Sequence, residues 1–97
     1  MYEERYLETA EGLRLYARDY PNASSRPPVL CLPGLPRNRR DFETLAMRIS
    51  KTRRVISPDL RGRGKSQYDP DWRNYHPGQY AADLWRMLDS LQVEEVV

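Results

Sequence analysis

The chain has 97 residues, enough for one domain with a modest core, and its formal net charge is only +2. Hydrophobic residues make up 39% of it, and no run of about 18 consecutive apolar residues occurs, which excludes a membrane-spanning helix. The single cysteine, Cys31, excludes an intrachain disulfide, and the first residues lack the pattern of a secretion signal. We therefore expect a soluble protein of the reducing cytoplasm.

The first predicted elements are two strands joined in a hairpin. Apolar and polar residues alternate in Tyr6–Thr9 and again in Leu13–Arg18, a pattern typical of strands with one buried face. Ala10-Glu11-Gly12 lies between them, and its glycine suits a tight turn. A polar loop that contains prolines follows over residues 20–28.

The next predicted elements are a buried strand and a helix. Val29–Leu32 is a continuous apolar run bounded by prolines, as expected for a strand covered on both faces. Cys31 lies inside this run and is predicted to be a buried, unreactive thiol. Asn38 can cap the helix that follows, and apolar residues at helical spacing give it one buried stripe: Phe42, Leu45, Ala46 and Ile49.

A second strand and helix complete the pattern. Arg54–Ser57 reads as a strand ended by Pro58, and a long loop rich in Gly, Asp and Pro follows from Asp59 to Asn74. The second helix begins near Pro77 or Gly78, and Val93–Val97 opens another strand. The apolar stripe of this helix is predicted to contain Tyr80, Leu84, Leu88 and Leu91, with Met87 beside it. The order predicts one α/β domain over residues 1–97, with parallel strands and flanking helices.

Gly64-Lys65-Ser66 resembles the end of a phosphate-binding P-loop. The first glycine of that motif is replaced by Asp59, and the segment continues into a loop instead of a helix. A dinucleotide fingerprint is excluded in the same way, because its third glycine would stand at Gln67. We therefore expect no nucleotide cofactor here.

Pro33-Gly34-Leu35-Pro36 directly follows the buried strand and suggests a role in acyl transfer. Gly34 allows a sharp turn, and the two prolines leave the N–H of Leu35 free to stabilise a tetrahedral oxyanion. An ordinary turn between a strand and a helix explains the same residues. Taken alone, the motif favours the ordinary turn.

Together, the two strand-to-loop segments resemble the α/β-hydrolase family, across essentially the whole chain. That family commonly has His-Gly-x-Pro after one strand, where this chain has Pro33–Pro36, and Pro-Asp-x-Arg-Gly-x-Gly-x-Ser after the next, matched here by Pro58–Ser66. The resemblance implies an antiparallel hairpin followed by βαβαβ in a three-layer αβα domain. It also implies that the N–H of Leu35, in the loop with Pro33, Gly34 and Pro36, belongs to an oxyanion hole. A structural loop near the mouth of the active site would contain Asp59, Arg61, Gly62, Gly64 and Ser66.

The chain departs from the family pattern at two places. Pro33 replaces the usual histidine, and the chain ends at Val97, before the Gly-x-nucleophile-x-Gly segment of the family. The only histidine, His76, precedes the second helix and is expected to act at the helix entry. We therefore expect the N-terminal portion of a hydrolase of small esters, lactones, epoxides, halides or carbon–carbon bonds. Its nucleophile–histidine–acid triad would lie outside this chain, so the chain alone would be inactive.

A second hypothesis follows from the excess of basic residues in the middle third of the chain. They could make a non-catalytic module that binds an anionic partner, although aromatic residues do not alternate with them as a nucleic-acid surface requires. The favoured expectation is a small-molecule substrate, with no nucleic acid, membrane or cofactor as partner. We expect no metal ion either, because His76 and Cys31 are far apart in sequence. The basic residues are Arg37, Arg39, Arg40, Arg48, Lys51, Arg53, Arg54, Arg61, Arg63 and Lys65.

Overall fold

The computed structural model describes residues 2–32 and 39–97, and for residues 39–42 the backbone alone. The predicted order of elements is confirmed as far as the second helix. None of the helices in the described part of the chain is long and apolar enough to cross a membrane. The elements are β1 (Glu3–Glu8), β2 (Arg14–Tyr20), β3 (Val29–Leu30), α1 (Arg39–Ile49), β4 (Val55–Asp59), a short 3₁₀ helix (Trp72–Asn74) and α2 (Pro77–Ser90).

The strands form one mixed sheet in the order β1-β2-β4-β3. β1 and β2 pair antiparallel, with Glu3 opposite Asp19 and Glu8 opposite Arg14. β2 also pairs antiparallel with β4, whereas β3 and β4 run parallel. The predicted hairpin turn is present, and Gly12 has a φ of +85°, which favours glycine.

Neighbouring residues of each strand point to opposite faces of the sheet, and each face carries one helix. On one face, Leu15 and Ile56 pack in a cluster with Met87 and Leu88 of α2. On the other face, Val55 packs in a cluster with Ala46 of α1. The sheet therefore lies between the two helices, as the predicted three-layer arrangement requires.

The two parallel strands end at other residues than predicted: β3 ends earlier and β4 ends later. β4 continues through Pro58 to Asp59 because both residues pair with β2, beyond Ile56, the last residue of β4 that pairs with β3. β3 ends at Leu30, two residues early, although the Cys31 N–H still donates to the Ile56 carbonyl at 2.9 Å. Proline has no N–H with which to continue the parallel ladder. Cys31 is buried, and burial raises the pKa of its thiol, consistent with the predicted unreactive role.

The segment 93–97 is not a regular strand, contrary to the prediction. Val97 alone joins β3, accepting a hydrogen bond from the Leu30 N–H at 3.0 Å and donating to the Pro28 carbonyl at 2.9 Å. Val93 instead completes the C-terminal cap of α2 and packs into the core. Val97 thus lies beside β3, and the regular strand conformation is not present.

α2 has a defined cap at each end. His76 lies at the helix entry as predicted, and its Nδ1 accepts a hydrogen bond from the Gln79 N–H at 3.2 Å. At the other end the Val93 N–H donates to the Leu88 carbonyl, and both side chains lie in the same core cluster. Gln92 occupies the left-handed position of this Schellman motif with a φ of 59°.

Replacing Gln92 with glycine should stabilise the protein. A residue with a β-carbon is strained in the left-handed region, so we expect Gln92→Gly to raise the free energy of unfolding by roughly 0.5–1 kcal/mol. Gln92→Ala keeps the β-carbon and should leave it within about 0.5 kcal/mol of the parent value. Urea denaturation of the three proteins measures this. A glycine variant no more stable than the alanine variant would contradict the assignment.

Candidate functional site

The candidate site lies at the edge of the sheet where the parallel strands end. The carboxyl ends of β3 and β4 point to the same edge, which is where open α/β sheets bind their ligands. The chain leaves β4 there through residues 59–69, called here the post-β4 loop. Pro33, Gly34, Leu35 and Pro36 lie outside the described residues, so the oxyanion role of Leu35 stays a prediction.

Ser66 closes the post-β4 loop onto the sheet. Asp59, the last residue of β4, lies opposite Tyr16 of β2. The Ser66 hydroxyl accepts from the Tyr16 N–H at 2.9 Å and donates to the Asp59 carbonyl at 2.7 Å. The hydroxyl thus bridges the two strands where their ladder ends. Because its proton is already donated and the side chain is buried, Ser66 is suited to bracing the loop and unsuited to acting as a nucleophile.

Two glycines give the loop its turns. Gly62 and Gly64 have φ values of +78° and +52°. A β-carbon at Gly62 would lie 2.8 Å from the ring of Tyr75, so glycine is needed here for the loop backbone to approach that ring. The Gly62 N–H donates to the Gln67 carbonyl at 2.9 Å, and the Gln67 N–H donates to the Arg14 carbonyl of β2 at 2.8 Å. The loop is thereby closed on itself and tied to the sheet.

The side chain of Arg61 is fully buried at the centre of the site, with 0% of it exposed. It forms a bidentate pair with Asp83 of α2 through Nε–Oδ2 at 3.0 Å and Nη2–Oδ1 at 2.8 Å. Nη1 donates to Asp69 of the loop at 2.8 Å, and Nη2 donates to Glu11 of the hairpin turn at 3.0 Å. These four residues are called the Arg61 cluster, and they join three separate parts of the fold.

Uncharged N–H groups also donate hydrogen bonds to the two buried carboxylates, Asp69 and Asp83. The Asp69 carboxylate accepts from the Asp71 N–H at 2.9 Å and from the Asn74 amide at 2.7 Å. These two bonds, then the one from Arg61, hold the pKa of Asp69 below its ordinary value despite its desolvation. The Gln79 amide donates to Asp83 Oδ1 at 2.9 Å. The Asp69 carboxylate therefore remains a charged partner for the guanidinium.

The electrostatics of the cluster favour the charged form of Arg61. The hydrogen bonds to Asp83 raise the pKa of the guanidinium, outweighing its desolvation, and Asp69 and Glu11 add to the effect. A cavity of about 150 Å³ adjoins the cluster, between the hairpin turn and α2. Its charged lining residues are Glu11, Arg61, Asp83 and Arg86, so positive and negative groups are equal in number.

The partners of Arg61 were not predicted from the sequence. The apolar stripe of α2 was expected along Tyr80, Leu84, Leu88 and Leu91, with Met87 beside it. Met87 and Leu88 are buried as predicted, and the third buried residue of the helix, which was not expected, is Asp83. Asp83 precedes Met87 by four positions, so the two residues lie on the same side of α2. An aspartate on that buried side was the signal in the sequence that a buried cation faces the helix. Asp69 and Glu11 gave no comparable signal, because both lie in polar loop sequence.

The geometry also bears on the alternative sites. The Asp59 carboxylate accepts the Lys65 N–H at 3.0 Å, so it occupies a donor that a P-loop would offer to phosphate. Of the basic middle third, Arg54 pairs with Asp19 at 2.8 Å and Lys65 with Glu4 at 3.2 Å. Together with buried Arg61, these pairs reduce the charge available to an anionic partner. Within residues 2–32 and 43–97, no group of three or more His, Cys, Asp and Glu side chains could hold a metal ion.

Comparison with known proteins identifies the family. The model of the alpha/beta hydrolase fold family matches residues 27–97, most of the chain. The chain belongs to the α/β-hydrolase fold family. The predicted resemblance is therefore confirmed, and the mixed sheet with the strand order β1-β2-β4-β3 belongs to this fold.

The chain is also similar to individual proteins of known name. An α/β hydrolase from Novosphingobium aromaticivorans is 50% identical, with a TM-score of 0.87 over 98% of this chain and 33% of that chain. An epoxide hydrolase from Vigna radiata is 26% identical, with a TM-score of 0.79 over 98% of this chain and 30% of its own. The 3-hydroxybutyrate-oligomer hydrolase of Cupriavidus necator is 38% identical over 68 residues, which are 70% of this chain and 23% of that protein. The chain spans at most a third of the length of the curated relatives that it matches.

Removing the Arg61 guanidinium should destabilise the α/β-hydrolase region strongly. Arg61→Met leaves Asp69 and Asp83 buried without their cation, so we expect a loss of about 3–5 kcal/mol in the free energy of unfolding. Urea denaturation followed by circular dichroism measures the loss.

Arg63→Met is the matched control for this prediction. Arg63 lies two residues away on the exposed side of the same loop, and its replacement should change stability by less than about 0.5 kcal/mol. Equal effects of the two substitutions would show that the Arg61 cluster is not a main source of stability.

Proposed function

We propose that this chain is the N-terminal part of a hydrolase that cleaves an ester bond in a small organic substrate. The observation that carries the proposal is the match to the α/β-hydrolase family over residues 27–97, together with the 50% identical hydrolase of Novosphingobium aromaticivorans. Lactones, epoxides, halides and carbon–carbon bonds are the other substrates expected of the family. An ester is favoured because the relative from Cupriavidus necator is a 3-hydroxybutyrate-oligomer hydrolase.

The proposed mechanism uses a nucleophile–histidine–acid triad supplied by residues beyond this chain. The nucleophile attacks the ester carbonyl, and the histidine takes the proton of the nucleophile and later gives it to the leaving alcohol. The N–H of Leu35 donates a hydrogen bond to the oxyanion of the tetrahedral intermediate. The post-β4 loop contacts no reacting group in this proposal. Its role is to fix the edge of the sheet at which the reaction takes place.

The remaining parts of the proposal concern setting and partners. We place the enzyme in the cytoplasm, acting on an uncharged small molecule without a cofactor, and without nucleic acid or a membrane as partner. The ion pairs of Arg54, Arg61 and Lys65 support this over the module that binds an anionic partner, because these cations are already matched by carboxylates. The N–H groups of Lys65 and Ser66 are likewise committed within the fold, to the Asp59 carboxylate and the Arg63 carbonyl.

A chimeric enzyme tests the proposed function. Residues 1–97 replace the matching third of the hydrolase from Novosphingobium aromaticivorans, whose fold they reproduce. Activity is measured on whichever compound in a panel of nitrophenyl esters, lactones and epoxides the parent hydrolyses fastest. We expect the chimera to keep activity within about a hundredfold of the parent, since the grafted part fixes the sheet edge and contributes one oxyanion donor. A folded chimera without activity would contradict the proposal.

A pair of variants in the chimera tests the oxyanion role of Leu35. Leu35→Pro removes the backbone N–H and should lower kcat by about 10²–10³, with little change in KM. Leu35→Ala keeps the N–H and should retain kcat within about tenfold. Equal kcat values for the two variants would exclude Leu35 as a donor.

A further inference from the structure

The outward face of α2 carries an exposed tryptophan beside two unpaired charges. Trp85 is 60% exposed, and Arg86 and Asp89 are exposed as well. Positions three and four apart lie on one side of a helix, so Trp85 and Arg86 both adjoin Asp89. The side chains of Arg86 and Asp89 form no hydrogen bond or ion pair with the described part of the chain. This face therefore offers one cation and one anion to a partner.

A cavity of about 390 Å³ adjoins the same face at the C-terminal end of α2. It is lined by Asp89, Gln92, Val93 and Glu94, so one apolar side chain stands among polar ones. An indole suits such a cavity, because its ring is apolar and its N–H can donate to a carboxylate. The same helix face thus has both a protruding tryptophan and, at its end, a cavity suited to one.

Two copies of α2 packed antiparallel match all of these groups at once. When Arg86 lies opposite Asp89 of a second copy, two-fold symmetry places Asp89 opposite Arg86 of that copy. The side chain of Trp85 leans toward the N-terminus of its own helix. In an antiparallel pair this direction leads to the C-terminal end of the other helix, where the cavity lies. The charges and the cavity therefore define the same register.

We propose that α2 is the interface between two copies of this protein, with Trp85 of each copy in the cavity of the other and Arg86 paired with Asp89 across the two-fold axis. A second copy is the occupant that the face itself specifies, because both halves of each contact occur on one chain. One helix face buries less than the roughly 1,200–2,000 Å² of a stable complex, so the dimer is weak. This interface is independent of the proposed catalysis.

Charge exchange across the interface provides the test. Sedimentation equilibrium of the 97-residue chain should show a monomer–dimer equilibrium with a Kd in the micromolar to millimolar range. Arg86→Glu and Asp89→Arg each place like charges opposite one another twice, so each should weaken Kd about tenfold or more. An equimolar mixture of the two variants should regain the parental Kd within about threefold, because each variant then meets the opposite charge on the other.

Two further measurements accompany this test. Arg63→Glu is the matched control, since it makes the same change of charge on the exposed side of the post-β4 loop and should leave Kd unchanged. Trp72→Phe leaves Trp85 as the only tryptophan. Its emission should shift to the blue over the same concentrations at which sedimentation detects the dimer, and Trp85→Ala should weaken Kd about tenfold. Circular dichroism confirms that each variant is folded.

Four results would overturn the inference. The first is a chain that stays monomeric, and the second is a dimer whose Kd does not respond to the charge variants, which would place the contact on another surface. The third is a mixture of the two charge variants that associates no better than either variant alone. The fourth comes from the chimeric hydrolase, where a folded protein that stays monomeric would show that the rest of the enzyme covers α2.

Discussion

A single buried cation links the parts of this fold that surround the candidate site. The guanidinium of Arg61 has no exposure to water, and a buried charge is tolerated only when its partners are in place. Its three carboxylates come from the hairpin turn, the post-β4 loop and α2. None of these elements can shift without uncovering charge, so their positions depend on one another.

This dependence explains how a long polar loop keeps one conformation at the edge of the sheet. Arg61 fixes the middle of the loop, and Ser66 fixes its return by bridging Tyr16 and Asp59. Gly62 allows the loop to approach Tyr75, whose hydroxyl in turn holds the backbone of the following segment. The result is a loop braced by hydrogen bonds and ion pairs beside the parallel strands.

The sequence predicted those features that depend on local pattern. Alternation marked the hairpin, apolar runs marked the buried strands, and the motif at Pro58–Ser66 marked the loop and the family. The ends of the parallel strands were missed, because Pro58 falls where β3 no longer pairs and therefore does not interrupt β4. The prediction of a regular strand at 93–97 was wrong, because Val93 completes the C-terminal cap of α2.

The ion pairs of Arg61 could not be predicted in the same way. Its partners are 8, 22 and 50 residues away, and Asp69 and Glu11 lie in ordinary polar loop sequence. Only the folded sheet brings the hairpin turn beside α2. The sequence therefore placed Arg61 only in a structural loop near the mouth of the active site, whereas the structure shows it joining three elements. Asp83 on the buried side of an amphipathic helix was the one local sign of this arrangement.

Native-state hydrogen exchange tests most directly whether the Arg61 cluster makes the loop and the sheet one unit. The amides of Gly62 and Gln67 report on the loop, and the Cys31 amide, bonded to Ile56, reports on the sheet. We predict that all three exchange with opening free energies within about 1 kcal/mol of each other, because the loop opens only when the fold does. Loop amides that exchange with an opening free energy near zero, while Cys31 stays protected, would contradict this account.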